Sequence, residues 1–230
     1  MDAAIVTVGD ELLVGDTENT NATWLCDRLD ARGVRVRRVT VVPDEVGEIA
    51  RVVNEYHAEY DAVIVTGGLG PTHDDVTMDA VAAAFGRDLE ANERAAGWLA
   101  EEGYSADDLA AETTHLPENC RPLENEAGVA PGAVVESVYV LPGVPREMKA
   151  MFESVADEFE GTPTHTVVVD VDEPESALLE RFAALESEFD VSVGSYPGES
   201  VRVKITAASA DEAERAAEWI RTRSTLVDSA

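Results

Sequence analysis

The sequence predicts an α/β protein: a doubly wound, mostly parallel sheet followed by a small α+β domain. Strand-like and helix-like patterns alternate along residues 1–160, which is typical of a sheet covered on both faces by helices. No charged residue interrupts the run Ala62–Thr66, as expected of a central parallel strand. The alternation restarts after Pro163, which indicates a second domain.

Each element of the first domain has its own signal. Runs rich in β-branched residues predict strands, and apolar residues three or four positions apart predict helices. The predicted strands are 3–8, 34–42, 62–66 and 138–141. The predicted helices run from Ala22 to Gly33, from the start signal Pro43–Asp44 to Tyr56, and over 76–85, 91–102 and 148–159. The stretch 105–133 carries no clear pattern.

The second domain reads as β-α-β-β-α. Its predicted strands are 164–171, 191–196 and 201–207. One helix starts at Pro174, and the other starts at Ser209, where Ser209–Glu212 matches a capping box. The predicted domains are therefore 1–160 and 164–228.

Charge excludes some partners. Forty-seven acidic residues against 17 basic ones give the chain a net charge of −30. This field repels nucleic acids and anionic lipids, so we expect neither a nucleic-acid nor a membrane partner. The acidic residues are spread over every segment, which favours adaptation to a salty cytoplasm over a local acidic interaction surface. Five arginines between Arg28 and Arg38 are interpreted as a helix end and an exposed strand face.

Hydrophobic runs and cysteines set further limits. No run reaches about 18 apolar residues and no basic leader precedes the first strand, so we expect a cytoplasmic protein without a membrane span. Cys26 and Cys120 are too far apart for a CxxC pair, and we expect two free thiols.

The most informative motif is the glycine loop, Thr66–Thr77, which leaves a buried strand and enters a helix. Backbone amides of such a loop and of the first helical turn can converge on a phosphate. Glycine at 67, 68 and 70 permits the close approach that this requires. The loop matches neither GxGxxG nor GxxxxGK[ST]. The sequence therefore predicts neither a dinucleotide-binding fold nor a Walker-type NTPase. His73 lies inside it. The alternative is a purely structural turn.

Three acidic residues follow these glycines: Asp74, Asp75 and Asp79. Asp75 and Asp79 are four positions apart, which predicts one helix face on which two carboxylates repel unless a cation or ligand hydroxyl accepts them. A hard divalent ion that bridges to phosphate uses such carboxylates. The alternative, N-capping of the helix by Asp74 or Asp75, accounts for one acid but not for all three.

Two further motifs follow strands. Gly9–Gly15 contains Asp10 and Glu11, which could bind ribose hydroxyls, a metal or a water; the alternative is a polar turn with Asn19 or Thr20 capping the next helix. Leu141–Met148 contains two prolines and Arg146, and Lys149 follows it; either basic side chain could meet a phosphate, and the alternative is a rigid turn. Carboxyl ends of neighbouring parallel strands open onto one crevice, so we expect all three motifs to share a pocket.

Residues 1–160 closely resemble the amino-terminal domain of the CinA family (competence/damage-inducible protein A), and more distantly the three-layer molybdopterin-binding fold of MoaB, MogA and MoeA. Residues 164–228 resemble the KH-like middle domain of CinA, without its GxxG loop. The matching runs are Gly9–Leu13 with Asn19–Asn21, Thr66–Thr77 and Leu141–Met148. Gly128–Gly132 departs from the family pattern, which has a threonine before Ala-Pro-Gly.

The resemblance implies a nucleotide pyrophosphatase that acts on ADP-ribose-type or FAD-type substrates. It also implies a divalent metal, Co²⁺ or Mg²⁺, with help from K⁺, and a homo-oligomer, a dimer or trimer. Because the sequence stops near residue 230, we expect no nicotinamide-mononucleotide deamidase activity. The alternatives are a molybdopterin-binding or adenylylating protein of molybdenum cofactor biosynthesis and a non-catalytic nucleotide sensor.

These inferences assign roles to individual residues. The predicted catalytic residues are Asp75, Asp10 and Glu11, and the predicted metal ligands are Asp75, Asp10 and Asp79. The predicted ligand-binding residues are Thr66, Gly67, Gly68, Gly70, Thr72, His73, Thr77, Asn21, Pro142, Gly143, Pro145 and Glu147.

Overall fold

The computed structural model describes residues 1–101 and 113–227. The chain divides into two compact units, Met1–Gly161 and Thr162–Ala230. The last residue of the predicted helix 91–102 lies outside the described residues. So do residues 105–112 of the unpatterned stretch 105–133. No helix in the described part of the chain is long and apolar enough to cross a membrane.

The first unit contains eight described strands and six described α-helices. The strands are β1 (Asp2–Val8), β2 (Arg35–Val42), β3 (Ala62–Thr66), β4 (Leu89–Ala91), β5 (His115–Pro117), β6 (Arg121–Leu123), β7 (Gly132–Val135) and β8 (Val138–Leu141). The helices are α1 (Asp10–Leu13), α2 (Thr20–Asp30), α3 (Val46–Glu59), α4 (Thr77–Phe85), α5 (Glu93–Glu101) and α6 (Pro145–Val155).

Six of these strands form the main sheet, in the order β2-β1-β3-β8-β7-β6. β2, β1, β3 and β8 are parallel, whereas β7 and β6 pair antiparallel. β4 and β5 form a separate two-stranded ribbon. The predicted α/β class with a mostly parallel sheet is therefore confirmed.

Helices cover both faces of the main sheet. On one face, Leu25 of α2 and Phe152 of α6 pack against Ile5 and Ile64. On the other face, apolar residues of α3 and α4 pack against a second row of strand residues; this core includes Ile49, Val53, Ala80, Val81, Val6 and Val65. Every residue of β3 is buried, because residues 62–65 face the two cores alternately and Thr66 is covered at the end of the strand.

The differences from the predicted elements are local. Asp10–Leu13, expected as a polar loop, forms one helical turn, and α4 begins at Thr77 rather than Val76. The helix predicted from Pro43–Asp44 begins at Val46. The side chain of Asp44 instead accepts a hydrogen bond from the amide of Asp10, 2.9 Å away.

The arginines between 28 and 38 lie on the surface, as predicted, and they form ion pairs. Arg28 contacts Glu153, Arg32 contacts Asp157, and Arg35 contacts Asp2. Such exposed pairs contribute little stability each. They neutralise much of the local positive charge.

The second unit has a three-stranded antiparallel sheet of order β10-β11-β9 with two helices. Its elements are β9 (His165–Val171), α7 (Glu175–Glu188), β10 (Val191–Pro197), β11 (Val201–Ala207) and α8 (Ala210–Arg221). The Ser209 hydroxyl accepts a hydrogen bond from the amide of Glu212, as half of the predicted capping box requires. The core includes Val169, Leu178, Val203, Ile205, Ala217 and Ile220.

Candidate functional site

The loops that follow β1, β3 and β8 meet at the carboxyl edge of the parallel strands. The Thr66 hydroxyl donates to the carbonyl of Pro142 at 2.6 Å. The Asn21 Nδ2 amide donates to the carbonyl of Gly143 at 2.7 Å. The Gly67 amide donates to the carbonyl of Leu141 at 3.2 Å. The three motifs predicted to share a pocket are therefore in direct contact.

Two glycines of the glycine loop have conformations that other residues adopt at a cost. Gly67 has φ +110°, and a Cβ there would lie 2.2 Å from the carbonyl oxygen of Val8. Gly68 has φ +63°, and a Cβ there would lie 2.4 Å from the Thr77 hydroxyl. Thr77 itself is fully buried. The loop path therefore depends on glycine at both positions.

Amide availability within the loop differs from residue to residue. The Gly67 amide is occupied by the Leu141 carbonyl. The amides of Gly68, Leu69 and Gly70 donate to no other group within residues 1–101 and 113–227. An anion at this loop would therefore be held by the second, third and fourth amides rather than by Gly67.

Asp75 is held inside the glycine loop. Its Oδ2 accepts hydrogen bonds from the Thr72 amide at 3.0 Å and the Thr72 hydroxyl at 2.5 Å. A Cβ at Gly70 would lie 2.6 Å from the same oxygen. α4 starts after Val76 without any side-chain cap, so N-capping by Asp74 or Asp75 does not account for these acids. Because Asp75 precedes the helix, Asp75 and Asp79 do not form the predicted pair on one helix face.

The first of two pockets at this edge is the strand-end pocket, an open cleft with about 400 Å³ of empty space. It brings together Glu11, Asn21, Thr66, Gly67, Gly143 and Pro145 from the predicted set. Its other lining residues are Thr7, Val8, Leu12, Thr17, Glu18, Asn19 and Thr20. No lysine or arginine is among the described residues that line it.

The second is the glycine-loop pocket, with about 570 Å³ of empty space. It brings together Gly68, Gly70, Asp75 and Asp79 from the predicted set. Its other described lining residues are Leu69, Pro71, Met78, Leu89, Thr113, His115 and Pro131. His115 is exposed and lines this pocket.

Asp44 is a member of the site that sequence reasoning missed. It follows β2 just as Asp10 follows β1, and the rule that parallel strands end at one crevice could have found it. Burial raises the pKa of Asp44, and the carboxylates of Asp10, Glu11 and Asp74 raise it further, while the Asp10 amide opposes them.

The predicted metal ligands Asp10, Asp75 and Asp79 do not form one binding group. Asp10 lies beside Asp44, whereas Asp75 and Asp79 line the glycine-loop pocket. Across the described ranges, no three histidine, cysteine, aspartate or glutamate side chains are positioned to hold a metal ion. The protein alone therefore does not fit a ready-made divalent-metal site.

The remaining predicted residues have other surroundings. The His73 side chain is 99% exposed, lies near Asp74 and lines neither pocket. Glu147 accepts a hydrogen bond from Asn125 at 2.8 Å and fills the space beside Gly128, so it supports the 125–130 loop. Pro142 is buried behind the pockets. Lys149 lies over the ring of Trp24, 5.6 Å from its centre.

The arrangement matches a known family. The family model described as a probable molybdopterin binding domain matches residues 4–161. The chain belongs to this family. The match covers the whole parallel sheet, both pockets and the three motifs, and it ends where the first compact unit ends.

Individual relatives agree with this assignment. A protein of Archaeoglobus fulgidus is 36% identical over 218 residues, which span 94% of this chain and 95% of its own. A Pyrococcus furiosus protein is 37% identical over 244 aligned residues, or 97% of both chains. The crystal structure of the protein CinA, of unknown function, from Thermoplasma acidophilum has a TM-score of 0.65 at 37% identity and covers 69% of this chain and 97% of its own.

Proposed function

We propose that this member of the molybdopterin-binding family hydrolyses the pyrophosphate bond of an ADP-ribose-type or FAD-type substrate. One observation carries the proposal: free amides at Gly68, Leu69 and Gly70 line the glycine-loop pocket next to Gly67 of the strand-end pocket, with the Asp75 carboxylate fixed beside them by Thr72. Such an arrangement suits a ligand with an anionic centre and an organic group on either side.

The roles follow from the contacts. The free amides would stabilise negative charge on the phosphoryl oxygens as a water oxygen adds to phosphorus and the bridging P–O bond breaks. Asp75 holds Thr72 through Oδ2 and keeps Oδ1 to accept the proton of that water. The products from ADP-ribose would be AMP and ribose 5-phosphate. Asp10 and Glu11, in the helical turn α1 that follows β1, would make further contacts with the substrate.

The proposed reaction does not require a divalent ion, and the experiment tests whether adding one changes the rate. Because the carboxylates do not converge on one point, Co²⁺ or Mg²⁺ would take several of its ligands from substrate phosphate and water. No step above depends on it. K⁺ is treated in the same way.

The test is incubation with ADP-ribose, with and without Co²⁺, Mg²⁺ and K⁺, followed by chromatographic measurement of AMP and ribose 5-phosphate. We expect Asp75→Asn to lower kcat by about 100-fold or more, because the water loses its proton acceptor. Asp88→Asn, on an exposed residue outside both pockets, is the matched control and should not change kcat. The proposal would be contradicted if the wild-type protein released AMP no faster than Asp75→Asn does.

The family description favours a second candidate, molybdopterin binding or adenylylation in molybdenum cofactor biosynthesis. Tight pterin binding without pyrophosphate cleavage would select it. A rise in melting temperature with nucleotide, followed by recovery of the intact nucleotide, would instead indicate a sensor.

We also propose a homo-oligomer, a dimer or trimer, in the cytoplasm, and a KH-like second domain over 164–228. Light scattering at high salt would give the oligomeric state. Addition of single-stranded RNA should produce no binding, since the chain carries a net charge of −30.

A further inference from the structure

The orientation of the Asn21 amide is fixed by its neighbours. Its Nδ2 group donates to the Gly143 carbonyl at 2.7 Å and to Thr66 Oγ1 at 3.4 Å. A carbonyl can only accept, so the nitrogen must face Gly143. The Thr66 hydroxyl hydrogen already goes to Pro142, so Thr66 can only accept as well. Both hydrogens of the amide are therefore in use.

This leaves Asn21 with a single unused polar atom. Its Oδ1 is buried and has no hydrogen-bond partner within the described ranges. A buried acceptor without a partner is unfavourable, and a bound molecule that donates a hydrogen bond would relieve it. Asn21 lines the strand-end pocket, so a small shift of its side chain would expose Oδ1 to a molecule bound there.

The rest of the strand-end pocket offers mostly hydrogen-bond acceptors, with the hydroxyls of Thr17 and Thr20 able to donate as well. Glu11 and Glu18 contribute carboxylates, which only accept. The Thr7 hydroxyl is already engaged, since it donates to the Thr40 carbonyl at 3.4 Å and accepts from Asn19 at 2.9 Å. The described lining residues include no cation. The pocket therefore repels phosphate and favours a group rich in hydroxyl donors.

We propose that the strand-end pocket is a ribose-binding subsite in which Asn21 Oδ1 and Glu11 accept hydrogen bonds from the sugar hydroxyls. This inference rests on the proposed function, which supplies a nucleotide-type ligand. It adds a direction, because the sugar lies on the β1 side of the glycine loop and the phosphates lie at the free amides of Gly68, Leu69 and Gly70.

The experiment measures binding rather than turnover. The affinities for AMP and for 2′,3′-dideoxy-AMP are measured by calorimetry in metal-free buffer. We expect AMP to bind about tenfold more tightly, because the dideoxy analogue leaves the acceptors unpaired. In Asn21→Ala this ratio should fall to about three, because Glu11 still accepts a hydrogen bond, while the affinity for dideoxy-AMP changes less than twofold.

Asn125→Ala is the matched control. Asn125 also donates from Nδ2 to a backbone carbonyl, that of Ala130, and also has an unpartnered Oδ1, but it lines neither pocket. In Asn125→Ala the tenfold ratio between the affinities for AMP and dideoxy-AMP should persist. Glu11→Gln, on an exposed side chain, is the second variant if Asn21→Ala does not fold, and its ratio should fall about threefold.

Three results would overturn the subsite. They are equal binding of the two nucleotides by the wild-type protein, an equal loss of both affinities in Asn21→Ala, and binding of 2′-amino-2′-deoxy-AMP more than tenfold tighter than AMP, which would indicate a cation site. Absence of AMP release from ADP-ribose contradicts only the proposed hydrolysis. The binding ratio therefore fails or holds independently of catalysis.

Discussion

The two pockets share the glycine loop as a wall but offer a ligand opposite chemistry. In the strand-end pocket the amide hydrogens of Asn21 and Gly67 are already used, and mainly acceptors remain. In the glycine-loop pocket the amides of Gly68 and Gly70 are free donors, and Asp75 lies beside them. The comparison shows that occupied hydrogen bonds, as well as residue types, determine which polar groups each pocket still offers to a ligand.

The largest expected effect comes from Gly67→Ala, which would disrupt the wall that both pockets share. A Cβ there would meet the Val8 carbonyl at 2.2 Å with φ at +110°. We expect a loss of about 3 kcal/mol in the free energy of unfolding, measured by urea denaturation. Gly15→Ala is the control, since Gly15 has φ +79° but open space, and it should cost about 1 kcal/mol. Equal losses would mean that the backbone contact is unimportant.

A smaller effect should separate the pockets by charge. Asp79 lines the glycine-loop pocket, where its negative charge would repel the phosphate of a bound nucleotide. We expect Asp79→Asn to tighten AMP binding about threefold in metal-free buffer at low salt, as removal of one partly screened like charge predicts. Asp88→Asn removes the same charge outside both pockets and should leave the affinity within experimental error. Weaker binding by Asp79→Asn would place the phosphate elsewhere.

The smallest effect concerns Asp44 and the acidic residues around it. The raised pKa of Asp44 means that the folded protein binds its proton more tightly than the unfolded chain does. Ionised Asp44 therefore lowers stability, fully at pH 7, and this penalty disappears as pH falls below the ordinary value of 3.8.

Asp44→Asn should accordingly raise Tm by about 1–2 °C at pH 7 relative to Asp88→Asn, and by nothing near pH 3. Differential scanning calorimetry at the two pH values measures this. A larger stabilisation at pH 3 than at pH 7 would reverse the inferred direction of the shift.

Much of the fold could be predicted from the sequence because its signals are local. Ala62–Thr66 was predicted as a buried strand, and the helix at Ser209 was predicted from its cap; both are observed. The short strands β5, β6 and β7 were not predicted. Each has only three or four residues, which is too short for a clear alternating pattern, although β7 and β8 are joined by just two residues.

The site was less predictable than the fold. The meeting of three motifs followed from strand topology alone. The division into two pockets did not, because it depends on the Asn21 and Thr66 side chains joining two loops. His73 and Glu147 have side chains suited to ligand binding, yet one faces solvent and the other supports a loop. Residue type indicates possible chemistry, whereas side-chain direction is a property of the assembled structure.

The contact between Gly67 and Gly143 has a practical consequence. A Cβ on Gly143 would lie 3.2 Å from the Gly67 Cα, so the two turns touch backbone to backbone with no side chain between them. Neither turn can be transplanted, lengthened or randomised alone, since the other was shaped against its main chain. Protein engineers who wish to alter specificity in this scaffold should vary the two segments together as a single cassette.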